Sequence, residues 1–365
     1  VSSLIVEVCK IDEVNVHPNA DRLELAKVKG WQTIIVKGQY KPGDLVVFIP
    51  PDSILPKNLI DQYEITYLKN NNGRTGTVKL RGYLSEGLVL PVAPNFSIGE
   101  NVAEKMGITK WEPEEPKSQS MKANPTSKRK LNPYFDRYTD IENIKNFNDV
   151  FEDGEMVVVT LKIHGGNARY SRLPIPKAGY KTFLEQAKSW FKINILRQTQ
   201  EYVYGSHNVQ LRSEKSKTYY GKNIWFEIGK QYNFEKWLPD NTIVYGEIYG
   251  KHNGSNVQDL TYGLDHLEFA VFDIKQDGKY LNWFDVKEFC EDYGLKTVPE
   301  LYIGPYSEDV VKRHTDGKDP ICPTQIREGC VIKPIEENFN PKIGRKILKS
   351  VSTDYLTRKN ATEFH

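Results

Sequence analysis

From Val1 to about Gly107 the chain alternates short β-rich runs with turn clusters: LIVEV, ELAKV, QTIIV, LVVFIP, GTVKL and GLVLPV, punctuated by HPNADR, KPGD and NNNGR. Evenly spaced strands of this kind predict a small all-β barrel or sandwich. The segment from Trp111 to Pro133 has almost no apolar periodicity and is rich in Pro, Ser and Lys, so it reads as a linker whose SKRK cluster is solvated or touches phosphates. Beyond Tyr134 the pattern mixes periods. A short helix is expected near Asp140 to Phe147, then the strand MVVVTLKI ending in a glycine turn, an amphipathic helix over Thr182 to Leu196, and a second over Ile224 to Trp237. Strands follow at TIVYGEIYG, LEFAVFDI, GCVIKPI and RKILKSV. The fold class is α+β: an all-β barrel of residues 1–110, a linker of 111–133, and an antiparallel α+β domain of 134–365.

Length supports the same count, since 365 residues exceed one core of roughly 150. Fifty Lys and Arg stand against 48 Asp and Glu, so any basic surface comes from local clustering and not from net charge. No run approaches the ~18 apolar residues of a membrane span, and VSSLIVEVCKIDEV lacks the order of a signal peptide, so cytosol or nucleus is the expected location, with no membrane partner. Cys9, Cys290, Cys322 and Cys330 form no CxxC pair and read as reduced structural thiols; the histidines show no HExxH spacing.

Chemistry concentrates in VVVTLKIHGGNARY, where a β-branched run delivers Lys162 to a turn holding His164, Gly165, Gly166 and Asn167. An amine nucleophile that attacks phosphorus needs such a rigid strand end and a glycine that lets backbone approach closely. Lys162-Ile163-His164-Gly165 resembles motif I, KxHG or KxDG, of the covalent nucleotidyltransferases, the superfamily of RNA ligases, DNA ligases and mRNA capping enzymes; Asn167 is similar to the KxHGxN form of RNA ligases. Four further elements follow in family order. Tyr245 to Gly250 resembles motif III, FAVFDI resembles motif IIIa, EGCVIK resembles motif IV, and Arg345-Lys346-Ile347-Leu348-Lys349-Ser350 resembles motif V. The stretch FDRYTD, from Phe135 to Asp140, is similar to what precedes motif I in these ligases. Each motif alone also reads as an ordinary strand with core and solvated faces.

The resemblance implies an ATP-dependent RNA ligase. Lys162 would form lysyl-AMP, with His164 and Asn167 orienting phosphates or a metal's waters, Glu247 on the ribose, Phe272 stacked on adenine, and Lys333, Lys349 and Arg212 as further nucleotide contacts. Glu328 would serve Mg²⁺ or Mn²⁺, and three steps would join RNA 3′-hydroxyl and 5′-phosphate ends, in nicked duplex or broken RNA, by a monomer. No kinase or phosphatase module is visible, so the ends arrive ready or an end-healing enzyme prepares them. The chain departs from the family pattern at Leu161, Gly166, Ile347 and His207, the last standing where an arginine is usual. No role is read for the insert from Pro174 to Tyr204 beyond a lid or a packed helix. HPNADRL followed by ELAKV is similar to tRNA-binding OB domains, and KPGDLVVFIPPDSILP to the N-terminal OB module of one ligase group, which implies single-strand or duplex-edge binding. Three alternatives stay open: a non-catalytic tRNA- or RNA-binding OB protein, a DNA ligase, and a GTP-using capping-type enzyme.

Overall fold

In the computed structural model the described residues are 3–69, 71–111, 132–176, 187, 190–191, 193–195, 197–211, 214, 223–260 and 262–358. The expected linker falls almost wholly outside them, as does most of the expected Thr182–Leu196 helix, of which Ala187, Trp190, Phe191, Ile193 and Asn194 are helical. Arg212 also lies outside the described residues.

Period-2 alternation in the first hundred residues produces antiparallel strands. Glu7–Lys10, Leu45–Ile49 and Leu88–Pro91 form one three-stranded sheet, and Glu13–Val16, Leu23–Val28 and Trp31–Val36 form another. Trp31, Thr33 and Ile35 point inward along one strand while Gln32 and Ile34 are half-buried. A hairpin, Thr77–Leu80 with Tyr83–Glu86, packs beside the Trp31–Val36 strand, and Thr109–Lys110 pairs with Ser53–Ile54. Two cores fill this unit, one around Val8, Val47 and Ile49, the other around Trp31, Ile35 and Phe48.

The remainder is built on two sheets. A five-stranded one runs in the order Glu142–Asn143, Leu348–Val351, Gly329–Pro334, Met156–Leu161, Glu300–Pro305. The larger runs Gln210–Leu211, Gln200–Gly205, Gly166–Pro174, Thr242–His252, Leu267–Gln276, Lys279–Tyr280. Pairing is antiparallel except where Glu142–Asn143 meets Leu348–Lys349 and where Lys296–Thr297 meets Ala270–Val271, two short parallel contacts that the expectation of an antiparallel domain did not contain. The Met156–Leu161 strand is covered on both faces: Val157 and Val159 enter one core, Val158 and Leu161 another. That explains its unbroken apolar run.

Two expected helices differ. Asp140 to Phe147 holds the strand Glu142–Asn143 and a single 3₁₀ turn, Ile144–Asn146, because the Asn143 side chain accepts the Lys145 N–H and turns the chain at once. The expected helix from Ile224 to Trp237 is two, Ile224–Gln231 and Phe234–Trp237, broken where Asn233 takes a left-handed φ of 57°.

Candidate active site

The chain changes sheets at the turn singled out above. Met156–Leu161 belongs to the five-stranded sheet, Gly166–Pro174 to the larger one, and Lys162 to Gly165 make the crossing. Gly165 is obligatory there, since a Cβ would lie 2.3 Å from the Ile248 carbonyl oxygen and 2.9 Å from Glu247 Cγ. Lys162 is thereby held between the sheets, its N–H donating to the Gly329 carbonyl at 3.1 Å. Gly329 itself has φ 151°, and a Cβ on it would meet the Ser350 carbonyl oxygen at 2.1 Å, which explains glycine immediately after Glu328.

A cleft of about 340 Å³ opens between the sheets. The five-stranded sheet and its ends contribute Thr160, Lys162, Val331, Lys333, Ile347 and Lys349; the larger contributes Asn167, Glu247 and Phe272, and His207, Tyr138 and Asp140 are among the other residues of the wall. Asn167 and Glu247 are direct cross-strand partners, which sets their side chains next to each other. The side-chain oxygen of Asn167 is buried with no hydrogen-bond partner among the described residues, a polar atom placed for a ligand.

Phe272 reaches the cleft through a β-bulge. Tyr245 pairs with Asp273 and Gly246 with Val271, leaving Phe272 as the extra residue. Val271 and Ile274 face the core behind, so Phe272 and Asp273 both turn toward the cleft side. The Phe272 ring packs edge-on against Tyr138 at 4.7 Å between centroids.

Two ion-pair groups lie in and around this cleft, apart from Glu247, Lys349 and the His207–Asp140 pair. Lys162 Nζ contacts the carboxylate of Glu328, which is wholly buried, whereas the lysine side chain keeps a quarter of its surface exposed. Behind Phe272 lies a sealed cluster: Asp273 accepts from Lys333 Nζ at 3.0 Å, from the Tyr138 hydroxyl at 2.7 Å and from Arg345 Nη2 at 2.6 Å. Arg345 also binds Glu337, its Nε donating at 2.7 Å. Burial opposes the Asp273 anion, but Arg345 and Lys333 outweigh it and hold this carboxyl below the usual range. Burial pushes the Lys333 ammonium the other way, below its ordinary value, against the pull of Asp273.

The structure brings Lys162, Asn167, Glu247, Phe272, Lys333 and Lys349 to one cleft, with Glu328 on Lys162, and it separates other expected contacts from it. Lys333 touches the wall, yet its ammonium is held by Asp273 and only 4 % of the side chain is exposed. Within RKILKS, Arg345 belongs to the sealed cluster and Lys346 reaches Glu155 at 2.7 Å, so Lys349 alone of the three basic residues enters the cleft. Strand alternation is the reason: Ile347 and Lys349 share a face and Leu348 enters the opposite core. His164 does not line the cleft. Its ring is buried, with Nε2 on the Asp259 carboxylate and Tyr355 edge-on at 5.5 Å, and Arg358 grips the other Asp259 oxygen at 2.6 Å. His207, where the family pattern has an arginine, does line it, 3.4 Å from Asp140; burial lowers its pKa, partly offset by that carboxylate. Sequence reading missed the roles of Tyr138, Asp273 and Asp259. Tyr138 lies within the quoted FDRYTD and Asp273 within FAVFDI, but no spacing rule marks a bulge.

An all-β unit ahead of a two-sheet domain, with a lysine at a sheet crossover above a mixed-charge cleft, defines a class of nucleotidyltransferase-like folds. A family model described as RNA ligase matches residues 155–351, more than half of the chain, and the chain belongs to the RNA ligase family. Residues 5–92 match an OB-fold domain, so the N-terminal unit is an OB fold. Among solved structures, the chain is similar to the Naegleria gruberi RNA ligase with PPi at 23 % identity, over 97 % of this chain and 98 % of that one, with a TM-score of 0.69. It is likewise similar to a mutant of that ligase with AMP and Mn, at 23 % identity over 96 % and 98 % with a TM-score of 0.70. A further mutant, with ATP and Mn, matches at 23 % over 97 % and 98 %, TM-score 0.70. At that identity the likeness is one of fold. No curated protein sequence matches the chain significantly.

Proposed function

We propose that this chain is an ATP-dependent RNA ligase that joins 3′-hydroxyl and 5′-phosphate RNA ends through lysyl-AMP on Lys162 and an RNA-adenylate. The observation that carries the reading is Lys162 at the sheet crossover, opening onto a cleft with Phe272 for a base, Glu247 and Asn167 for polar groups, and Lys349 for a phosphate. The ATP, AMP, pyrophosphate and Mn seen with the Naegleria ligase support it. Residues 1–110 serve as the OB module, 111–133 as linker and 134–365 as nucleotidyltransferase domain.

In the first step Lys162 Nζ attacks the α-phosphorus of ATP and pyrophosphate leaves. An oxygen of the RNA 5′-phosphate then attacks the lysyl-bound phosphorus and the amine leaves. Last, the 3′-hydroxyl oxygen attacks the RNA phosphorus and AMP leaves; the protons lost by the amine in the first step and by the hydroxyl in the last pass to water, and the departing amine of the second step takes one back from water. Attack needs a neutral amine, so the Lys162–Glu328 ion pair must open first. Glu328, a hard oxygen donor beneath Lys162, fits Mg²⁺ or Mn²⁺ and would be the residue that holds such a cation. A bound cation supplies neutralisation of phosphate charge. Among the described residues no cluster of three or more His, Cys, Asp or Glu forms a complete cage, so nucleotide oxygens and water would fill the remaining positions. Lys349 offsets charge on the α-phosphate, Glu247 takes the ribose, and Asn167 offers its buried oxygen to a ligand donor. Lys333 acts through the sealed cluster that backs Phe272, and His164 holds the crossover turn from behind.

The partner is RNA carrying a 5′-phosphate and a 3′-hydroxyl, with an end-healing enzyme where ends are damaged; the protein acts as a monomer in cytosol or nucleus. No helix among the described residues is long and apolar enough to cross a membrane. Incubation with α-³²P-ATP or α-³²P-GTP and divalent metal, followed by denaturing electrophoresis, tests the reading. Acid-labile label is expected from ATP only and is expected to vanish in Lys162→Ala. Label from GTP, or full label in the variant, overturns it.

A further inference from the structure

The OB fold is joined to the second domain by more than its linker, and the contact leads to Lys349. Glu86, 1 % exposed on the barrel, receives both oxygens' worth of contact from Lys145 Nζ, at 2.7 and 2.9 Å. The same ammonium lies 4.8 Å from the centre of the Trp31 ring, whose Nε1 donates to Asn146 Oδ1 at 3.1 Å. Gly30 lets the barrel's turn press on this spot, for a Cβ there would sit 3.1 Å from Lys145 Cα, Cβ and Cγ. Lys145 and Asn146 belong to the 3₁₀ turn that follows Glu142–Asn143 directly, and Asn143 pairs with Lys349 in the short parallel contact. Trp31, Asn143, Asn146 and Lys349 line one small interdomain crevice, and Lys349 also lines the main cleft.

A parallel pairing of two residues is weak on its own. Its outer strand runs straight into a turn clamped by a hydrogen-bonded charge pair whose carboxylate is buried and whose ammonium is partly exposed. We propose that the OB domain positions Lys349 for nucleotide chemistry through this clamp, which makes Glu86 and Lys145 positioning residues although neither lines the cleft. The inference rests on the reading of Lys349 as a phosphate contact. It gives the barrel a role in the first step, before RNA is present, and it means that the nucleotide site is complete only when the barrel is docked.

The test uses the full chain. Glu86→Gln keeps an acceptor for the Gln32 N–H that Glu86 now serves at 3.4 Å but removes the charge. Glu86→Gln with Lys145→Met removes both charges, so that no cation is left without its partner at the domain contact should the single variant unfold. Lys145→Arg keeps the pair. Single-turnover label transfer from α-³²P-ATP at saturation, in RNA-free solution, is expected to slow on the order of tenfold or more in the two charge-removing variants, as sub-ångström misplacement of a catalytic group does, and to stay near wild type in Lys145→Arg. In a Lys349→Met background Glu86→Gln is expected to add no further loss. Amide exchange at Asn143 and Lys349 is expected to quicken in the folded variants. Equal loss with and without Lys349, or unchanged rate and exchange in a folded variant, overturns the proposal. Should wild type take no label, the function reading fails, while the exchange experiment still decides whether the clamp holds Lys349.

Discussion

Two charge clusters sit within the same cleft wall and have opposite characters. Around Lys162 the cation faces a cleft open to a ligand: the lysine keeps a quarter of its side chain exposed, while its partner Glu328 is wholly buried beneath it. Around Asp273, two cations, two carboxylates and a tyrosine hydroxyl satisfy one another out of water. Desolvation separates the roles. A charge whose solvation shell has been replaced by fixed partners cannot be withdrawn cheaply for chemistry, whereas one at the mouth of a cleft exchanges partners with a substrate. On the proposed function, Lys162 of the first cluster is the group left available to a nucleotide, whereas the second cluster holds the wall that Phe272 stands on.

Substitutions on either side sharpen this contrast. Asp273→Asn leaves Lys333 and Arg345 buried with reduced compensation, and a loss of about 3–5 kcal/mol is expected in urea unfolding, the range for breaking a buried pair. The same carboxyl predicts a pH signature. Its folded pKa lies below the unfolded value of about 3.9, so its contribution is present above that pH and is lost as pH falls through the folded pKa. The wild-type stability curve should fall more steeply below about pH 4 than that of the variant. Lys349→Ala should do the reverse: unfolding unchanged, but label transfer reduced on the order of 10²–10³, the effect of losing one preorganised charge partner in a transition state. Phe272→Ala should raise KM for ATP roughly tenfold with little change in the saturated rate, base stacking on an aromatic ring being worth about 1–3 kcal/mol. If Asp273→Asn proved stable yet inactive, or Lys349→Ala active yet unstable, the division between the clusters would be wrong.

Much of the fold is legible in the sequence. The β-branched run into a glycine turn marks a strand that ends just before Lys162, and alternating runs in the first hundred residues mark the barrel. Other features were hidden for identifiable reasons. Three basic residues in RKILKS look equivalent in composition, yet strand parity and the buried cluster leave only Lys349 at the cleft. His164 reads as a phosphate contact by position, but Asp259, distant in sequence, draws its ring away from the cleft. Glu142–Asn143 reads as the start of a helix until its parallel partner, some 200 residues later, is known.

Local pattern by itself determined the strands, the order of the motifs and the residue types that the chemistry requires, because side-chain periodicity and turn chemistry act over a few neighbours. Which of those residues share a cavity, and which charges are sealed by partners, was decided only in the tertiary structure. A bulge at Phe272, a crossover at Gly165 and the docking of the barrel on Lys145 are relations between strands far apart in sequence, and burial, which decides whether a lysine is structural or available, exists only once those strands have met.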